Sequence, residues 1–504
     1  MTPDIRPPQK DVENCPPSDY TVADIPALLA TIDDLKCIIL EQQRIITKLR
    51  DENGRLKAQI ADLESRLNQN SRNSSRPPSQ DWFRRPQTPR KKGERSPGGQ
   101  KGHKGHSLQP VAVPDAIVVH AVSVCPTCGT SLEDVEPSAV ERRQVHDIPP
   151  LRIIVTEHRA EHKRCPHCGS SHRAAFPAEA SHPVQYGTNL KALLVYSCIY
   201  QLLSYDRVCQ LVSDLFGRSL SRATVVAAVE ECSQNLTEVD ERIRELLHGA
   251  HVLHVDETGM RAAGTRHWLH VAGTELLTCY GHHRNRGSQA TDAMAILPGF
   301  QGTMIHDFWA PYFRYSSDHA ICNAHLLREL QGISENFGHR WSEALRALLI
   351  EMKITVDTAR QSGHALLPAI RAAFEERYRS ILEAARKEME ITGVPWEQGK
   401  HGRRKQSKAK NLLDRCHKYQ REILTFMRDF TIPFTNNQAE RDLRMMKLQQ
   451  KISGTFRSEE GARNFCRVRG FISTVKKHSR PVLPELVGVF EGTPFVPTTA
   501  HSIP

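Results

Sequence analysis

No apolar run in this chain of 504 residues reaches the roughly 18–20 residues that a membrane-crossing helix needs. A membrane-spanning role is therefore not expected. The first residues, Met-Thr-Pro-Asp-Ile-Arg-Pro-Pro, lack the basic-then-apolar pattern of a secretory leader. Cysteine is thinly spread: of thirteen, four fall into two Cys-x-x-Cys units and the rest are scattered. That usage argues against a secreted disulfide scaffold and for reduced thiols around one metal site, so a cytoplasmic protein is expected. An excess of negative charge is missing too. The net charge of +11 and a pI near 9.0 favour a polyanionic partner. The length is too great for one hydrophobic core, and a multidomain α+β chain is expected.

Residues 1–21 are polar and Pro-rich and read as disordered. A coiled coil is expected over 22–70. Its a positions are Ile32, Ile39, Ile46, Asn53, Ile60 and Leu67, and its d positions are Leu28, Leu35, Gln42, Leu49, Leu56 and Leu63. Ile at a with Leu at d favours a parallel two-stranded coil, and a lone Asn at a fixes register and dimer state. Residues 28–67 thus predict a homodimer. An amphipathic helix packed on its own domain is the plainer reading, but so narrow and long a stripe argues against it. A basic flexible linker follows over 71–110. Arg84, Arg85, Arg90, Lys91, Lys92, Arg95, Lys101 and Lys104 face a lone Glu94 there. Arg90, Lys91 and Lys92 are expected to contact phosphates without reading bases.

Two Cys-x-x-Cys-Gly knuckles, Cys125/Cys128 and Cys165/Cys168, lie in a module over 111–180. Four thiolates make a closed, structural Zn²⁺ site rather than a catalytic one, and a zinc ribbon is expected. Between them, residues 143–162 alternate like a β-hairpin. A helical segment over 183–250 follows. It holds helices at 189–203, at 206–216 with Gly217 as C-cap, and at 222–235 capped by Ser221. This pattern fits a helix-turn-helix for DNA or a plain helical bundle, and the sequence leaves both open.

The stretch 251–259 reads as a buried strand delivering Asp256 to its C-terminal end, and 302–309 does the same with Asp307. Strands at 266–273 and 276–283, a helix at 288–297 and a short strand at 319–322 complete the order of a ribonuclease-H-like α/β core. In that order the first and fourth strands are neighbours, which sets Asp256 beside Asp307. A helix carrying Glu440 supplies a third carboxylate. Hard oxygen ligands suit two Mg²⁺ (or Mn²⁺) ions per site, and such pairs, about 3.5–4 Å apart, activate phosphodiesters for in-line attack. A single strand-end Asp is more often a turn or cap residue, so the case rests on all three. Glu257 is expected on the opposite face of its strand. Asp442 is expected on another face of its helix. His325 is a candidate contact to phosphate, with a capping or core role as the alternative.

The runs His-Val-Asp-Glu-Thr, Ile-His-Asp-Phe-Trp-Ala-Pro-Tyr, Cys-Asn-Ala-His-Leu-Leu-Arg-Glu-Leu and Asn-Asn-Gln-Ala-Glu-Arg-Asp-Leu-Arg resemble motifs of the insertion-sequence-66 family of DDE transposases. The likeness extends to the zipper, the Asn-Ser-Ser-x-Pro-Pro-Ser and Gly-Gly-Gln-x-Gly-His runs and the paired cysteines, nearly the whole chain. It implies an acidic triad at Asp256, Asp307 and Glu440, cleavage at element ends and strand transfer, with Mg²⁺. Double-stranded DNA, as terminal repeats and target, would be the partner, joined by accessory proteins of the element in a bacterial cytoplasm and its nucleoid. The core would comprise 251–330 and 431–478, interrupted by a helical insertion over 331–430 with helices at 341–360, 365–389 and 409–429. Residues 479–504 would form a tail. Lys400, Arg403, Arg404, Lys405, Lys408 and Lys410 crowd one loop of the insertion. Arg441, Arg444, Lys447 and Lys451 make a basic helical face that is better placed for phosphates. A zinc-containing DNA-binding regulator without enzymatic activity, or a nuclease without strand transfer, are the competing readings.

Overall fold

The computed structural model describes residues 23, 25–70, 72–74, 107–391 and 406–499. The expected disorder over 1–21, nearly all of the basic linker, and Arg90, Lys91, Lys92, Arg403, Arg404 and Lys405 lie outside the described residues. In chain order come helix α1 (Ile25–Leu67), strands β1 (His162–Arg164) and β2 (Ser171–Arg173), and helices α2 (Thr188–Val195), α3 (Tyr205–Phe216), α4 (Arg222–Asn235) and α5 (Thr237–His248). Strands β3 (Val252–Ala262), β4 (Thr265–Gly273) and β5 (Thr278–His283), helix α6 (Ser288–Ala293), and strands β6 (Thr303–His306) and β7 (Asp318–Ile321) follow. Helices α7 (Asn323–Phe337), α8 (Arg340–Gln361), α9 (Pro368–Ile391), α10 (Lys408–Lys418), α11 (Gln420–Ile423) and α12 (Thr425–Arg428) lead to α13 (Asn437–Ile452), α14 (Glu459–Lys477) and α15 (Val482–Phe490). Among the described residues no helix is long and apolar enough to cross a membrane. The chain divides into two compact units, one from residues 1–81 and 323–430, the other from 82–322 and 431–504.

The first unit is helical. Its interior is built from Leu326, Leu330, Trp341, Leu345, Leu349, Met352, Tyr378, Leu382 and Leu412, all buried. The helix expected over 409–429 is in fact three, because the backbone leaves helical geometry at Tyr419 (φ −110°, ψ 32°) and at Leu424 (φ −97°, ψ 4°). Helix α1 runs unbroken through Gly54. Its heptad positions are exposed in the single chain: Leu35 is 53% exposed, Ile39 52% and Leu49 59%.

The second unit is organised by a five-stranded sheet in the order β5-β4-β3-β6-β7. Strands β3, β4 and β5 form an antiparallel meander, while β6 joins β3 and β7 in parallel. Helix α14 buries Phe465, Val468, Phe471 and Ile472. Its Gly470 permits the approach to β5, since a Cβ there would sit 3.1 Å from the Thr278 carbonyl oxygen. Helix α4 packs on α2, α14 and α15 through Val225, Ala228, Val229 and Cys232. Its one basic residue, Arg222, is paired with Asp206. Helix α5 was not foreseen, and residues 479–504, expected as a tail, contain α15 with Val482, Leu486 and Val489 buried. The hairpin expected over 143–162 does not form, and only its last residue, His162, enters a strand. Pro149 and Pro150 remove two donors from that stretch, and nearly all its side chains are exposed, so neither ladder nor core would hold strands there. The only strands in the module, β1 and β2, are a short antiparallel hairpin around the second knuckle.

Candidate active site

The parallel register of β3 and β6 pairs Val252 with Thr303, Leu253 with Met304 and His254 with Ile305. Two residues further along both chains stand Asp256 and Asp307, level with each other just where β6 ends. The strand-end expectation for Asp256 needs correcting. Strand β3 continues six residues past it as one arm of the hairpin with β4, so Asp256 sits mid-strand, at the end of the parallel pairing only. Asp307 does follow the end of its strand. Its Oδ1 accepts the Trp309 backbone N–H at 2.9 Å, which fixes the turn into the short 3₁₀ segment Ala310–Arg314.

Glu440 occupies the first turn of α13. This helix lies along β3 and is tied to it at three levels. At its start, the Asn436 Nδ2 donates to the Val255 carbonyl at 2.8 Å, its Oδ1 meets His254 Nδ1 at 2.8 Å, and its N–H donates to Cys322 Sγ at 3.1 Å. Midway, Lys447 Nζ donates to the Gly259 carbonyl at 3.2 Å. Beyond the end, Phe456 exchanges backbone hydrogen bonds with Arg261 and Ala263. Asn436 was missed from the sequence, where the doubled Asn read only as part of a motif.

The electrostatics join the three carboxylates. Burial pushes the Asp256 carboxyl well above its ordinary range, and Glu257, Asp307 and Glu440 push it further, against the opposing Glu257 N–H that donates to Asp256 Oδ1 at 2.8 Å. The acids are near enough to repel but are not gathered in contact: no three of their oxygens lie within 4.8 Å of one another. Glu257 is raised by burial and by Asp307, with Tyr312 and Arg286 opposing. Its side chain, only 1% exposed, accepts from Arg286 Nη2 at 2.6 Å and from the Tyr312 hydroxyl at 2.7 Å. Asp442 turns away to Lys477 Nζ at 2.9 Å and Gln438 Nε2 at 3.1 Å. His325 is the third residue of α7, in the other unit. Arg441, Arg444 and Lys451 are exposed on α13 and Lys447 is half-buried.

The knuckles are near copies. Cys125 N–H donates to Thr130 O (2.9 Å) and Gly129 N–H to Cys125 O (2.9 Å), and Cys165 N–H donates to Ser170 O (2.8 Å) and Gly169 N–H to Cys165 O (2.9 Å). Gly129 and Gly169 take φ of 75° and 73°, which a side chain would resist. The Thr130 hydroxyl lies 3.3 Å from Cys128 Sγ and that of Ser170 2.8 Å from Cys168 Sγ. These hydroxyls, with backbone N–H groups and the partner thiol, bring both thiols down to about 7. The hydroxyl two residues past each second cysteine was a signal the sequence carried unread. The structure pairs cysteines within each knuckle but does not gather three of the four thiols within 4.8 Å.

Acidic side chains level on a mixed sheet, downstream of a two-knuckle cysteine module, define a multidomain α+β protein. Comparison with protein families makes this particular. The family model described as the transposase IS66 family matches residues 183–464, and that of the zinc-finger binding domain of transposase IS66 matches 123–169. The chain belongs to the IS66 transposase family, and its paired cysteines lie in a zinc-finger domain. A family of unknown function (DUF6444) matches residues 21–109. No curated relative matches the chain.

Proposed function

We propose that this transposase cuts and joins DNA strands at the ends of its element by two-metal phosphoryl transfer, with Asp256, Asp307 and Glu440 as the metal-holding triad. The observation that carries the reading is the β3–β6 register, which sets Asp256 level with Asp307. The strand order supports a ribonuclease-H-like core. The donor set fits the metals: three carboxylates are hard oxygen ligands, and an Asp256 carboxyl raised by burial first and by its acidic neighbours next marks a site short of positive charge. Bound there, divalent ions supply Lewis acidity at both the attacking and the departing oxygen. The protein supplies placement. Paired strands fix the two aspartates, and the Asn436 contacts hold the start of α13 and with it Glu440. Arg441, Arg444, Lys447 and Lys451 on the same helix hold the phosphate backbone. Arg90, Lys91, Lys92, Arg403, Arg404 and Lys405 add contacts further along the DNA, and His325 contacts phosphate. Four thiolates, Cys125, Cys128, Cys165 and Cys168, hold a structural Zn²⁺ in a ribbon-type module. The working particle is a homodimer through residues 28–67, with accessory proteins of the element as further partners.

The test supplies labelled element ends, Mg²⁺ and a target plasmid to the full-length protein. Joined products should appear, and Asp256→Ala, Asp307→Ala or Glu440→Ala should each cut their yield by roughly 10³-fold or more. Cleavage without joining would favour a nuclease, and DNA binding without cleavage a regulator. Unchanged activity in all three variants would remove the triad assignment.

A further inference from the structure

A stack of alternating cations and indoles stands next to the acidic cluster. The guanidinium of Arg266 lies 4.7 Å from the ring of Trp268, and that of Arg286 lies 5.0 Å from Trp268 and 4.8 Å from Trp309. Two members of the stack, Trp309 at one end and Arg286 inside it, are tied to the proposed site. Trp309 donates its backbone N–H to Asp307, and Arg286 grips Glu257 beside Asp256.

The plainer account is a packing device that holds Arg286 on Glu257. That account covers Arg286 and Trp309, but it leaves Arg266 and Lys447 unexplained. Arg266 is exposed, extends over Gly259, and lowers the proton affinity of Lys447, on which burial acts more strongly. Among the described residues neither cation has a carboxylate partner, and Lys447 spends a hydrogen bond on the Gly259 carbonyl. Two neighbouring cations without an anion, beside two half-buried indoles, make a surface incomplete without a ligand that is both anionic and flat. Duplex DNA hides its base faces inside the stack, whereas single-stranded DNA offers phosphates and free faces together.

We propose that Arg266, Trp268, Arg286 and Trp309 form a stacking platform for one or two unpaired nucleotides of a DNA strand end, with Arg266 and Lys447 taking the adjoining phosphates. The proposal rests on the reading above insofar as it makes DNA the substrate of the neighbouring carboxylates. An incoming base would lie on an indole face in competition with a guanidinium, as both are drawn to the same π-cloud. The platform would thereby hold a frayed or cut end open against the triad, and substrates with an unpaired end would bind more tightly than blunt ones.

The test uses full-length protein without added Mg²⁺ or Mn²⁺, so that binding is read without catalysis and the zinc site is left intact, with a fluorescein-labelled oligothymidine of about twelve nucleotides and a blunt duplex as probes. Fluorescence anisotropy should show the single strand bound about 10–100-fold more weakly by Trp268→Ala, with Trp268→Phe close to wild type and duplex binding little changed. Arg266→Ala should lower the salt dependence of single-strand binding, as the loss of one phosphate contact requires. Thermal unfolding of each variant separates lost binding from lost folding, and Trp268→Phe keeps the test alive should the alanine variant unfold. Equal loss on both probes, or no loss on the single strand, would overturn the platform. If strand joining fails altogether while this selectivity persists, the platform stands and the transposition chemistry falls. If tailed element ends are joined by Trp268→Ala as well as by wild type, the platform falls alone.

Discussion

Asp256 holds its proton more firmly than an ordinary aspartate because it is buried with Glu257, Asp307 and Glu440 around it. A carboxyl whose folded value lies above its unfolded value adds stability at pH below the unfolded value, about 3.9, and loses that stability as pH rises through the folded value. The metal-free protein near neutral pH therefore bears the cost of this acid. Asp256→Asn should raise the stability of the metal-free protein at neutral pH by about 0.5–2 kcal/mol, the usual scale for relieving a functional site. The gain should vanish toward about pH 4, where the aspartate is protonated and resembles asparagine. Adding Mg²⁺ should raise the melting temperature of wild type and leave the variant nearly unmoved. Calorimetry at two pH values, with chelator and with Mg²⁺, checks all three, and a variant less stable at neutral pH would contradict the electrostatic account. The two aspartates were legible in the sequence, since each ends an apolar run of strand character. Asn436 and Tyr312 were not. Their roles depend on partners such as His254, Val255 and Glu257, far away in the chain, and no local pattern encodes that pairing.

Helix α13 shows the same division at the scale of elements. Its helical character around Glu440 and its basic face were readable from spacing, but not where it starts or its lie along β3, which is set by the Asn436, Lys447 and Phe456 contacts. Asp442 belongs to the framework of this helix. Its ion pair with Lys477 is only 12% and 11% exposed, and Lys477 also donates to the Thr274 and Leu277 carbonyls at 2.8 Å. Removing one member of a buried pair strands the other, so Asp442→Ala should cost about 3–5 kcal/mol in chemical denaturation. Its residual folded fraction should still show the Mg²⁺-dependent rise in melting temperature. Loss of that rise without loss of stability would instead move Asp442 into the metal site. In the zinc-finger domain, Thr130→Val removes the hydroxyl that most lowers the Cys128 thiol. Zinc competes with protons for thiolates, so half-release of Zn²⁺, followed with a colorimetric chelator, should move to higher pH. Pattern reading succeeded where an element's own periodicity defined it, as in β3, α4 and α8. It failed where packing decided: α15 is held by α2 and α4, the region after α10 is broken at Tyr419 and Leu424, and residues 143–162 form no hairpin of their own.

For the molecule as a whole, the longest exposed apolar stripe among the described residues is on α1, whose C-terminal end packs on α7 and bonds Lys408. Leu28, Ile32, Leu35, Ile39, Ile46, Leu49, Leu56, Ile60 and Leu63 are all between 38% and 59% exposed in the single chain. A continuous apolar stripe of this length is costly in water and marks an interface. The seam is interrupted by Gln42 at d and Asn53 at a, and a buried Asn is satisfied best by the same Asn of an identical helix in register. That favours a second copy of this chain over an unrelated helix. Leu35→Lys with Leu49→Lys sets like charges opposite each other in two layers of such a dimer. Light scattering should then report a monomer where wild type gives a dimer at micromolar concentration. Transposition requires two DNA ends held together, so the double variant should still bind a single labelled end while losing paired-end joining. Asn53→Ile should act in the other direction, raising the melting temperature of α1 while admitting mixed oligomers, because the residue that fixes register and copy number is gone. A wild-type chain that stays monomeric at micromolar concentration, or a double variant that joins paired ends normally, would separate the helix from dimerisation and leave its exposed stripe to another partner.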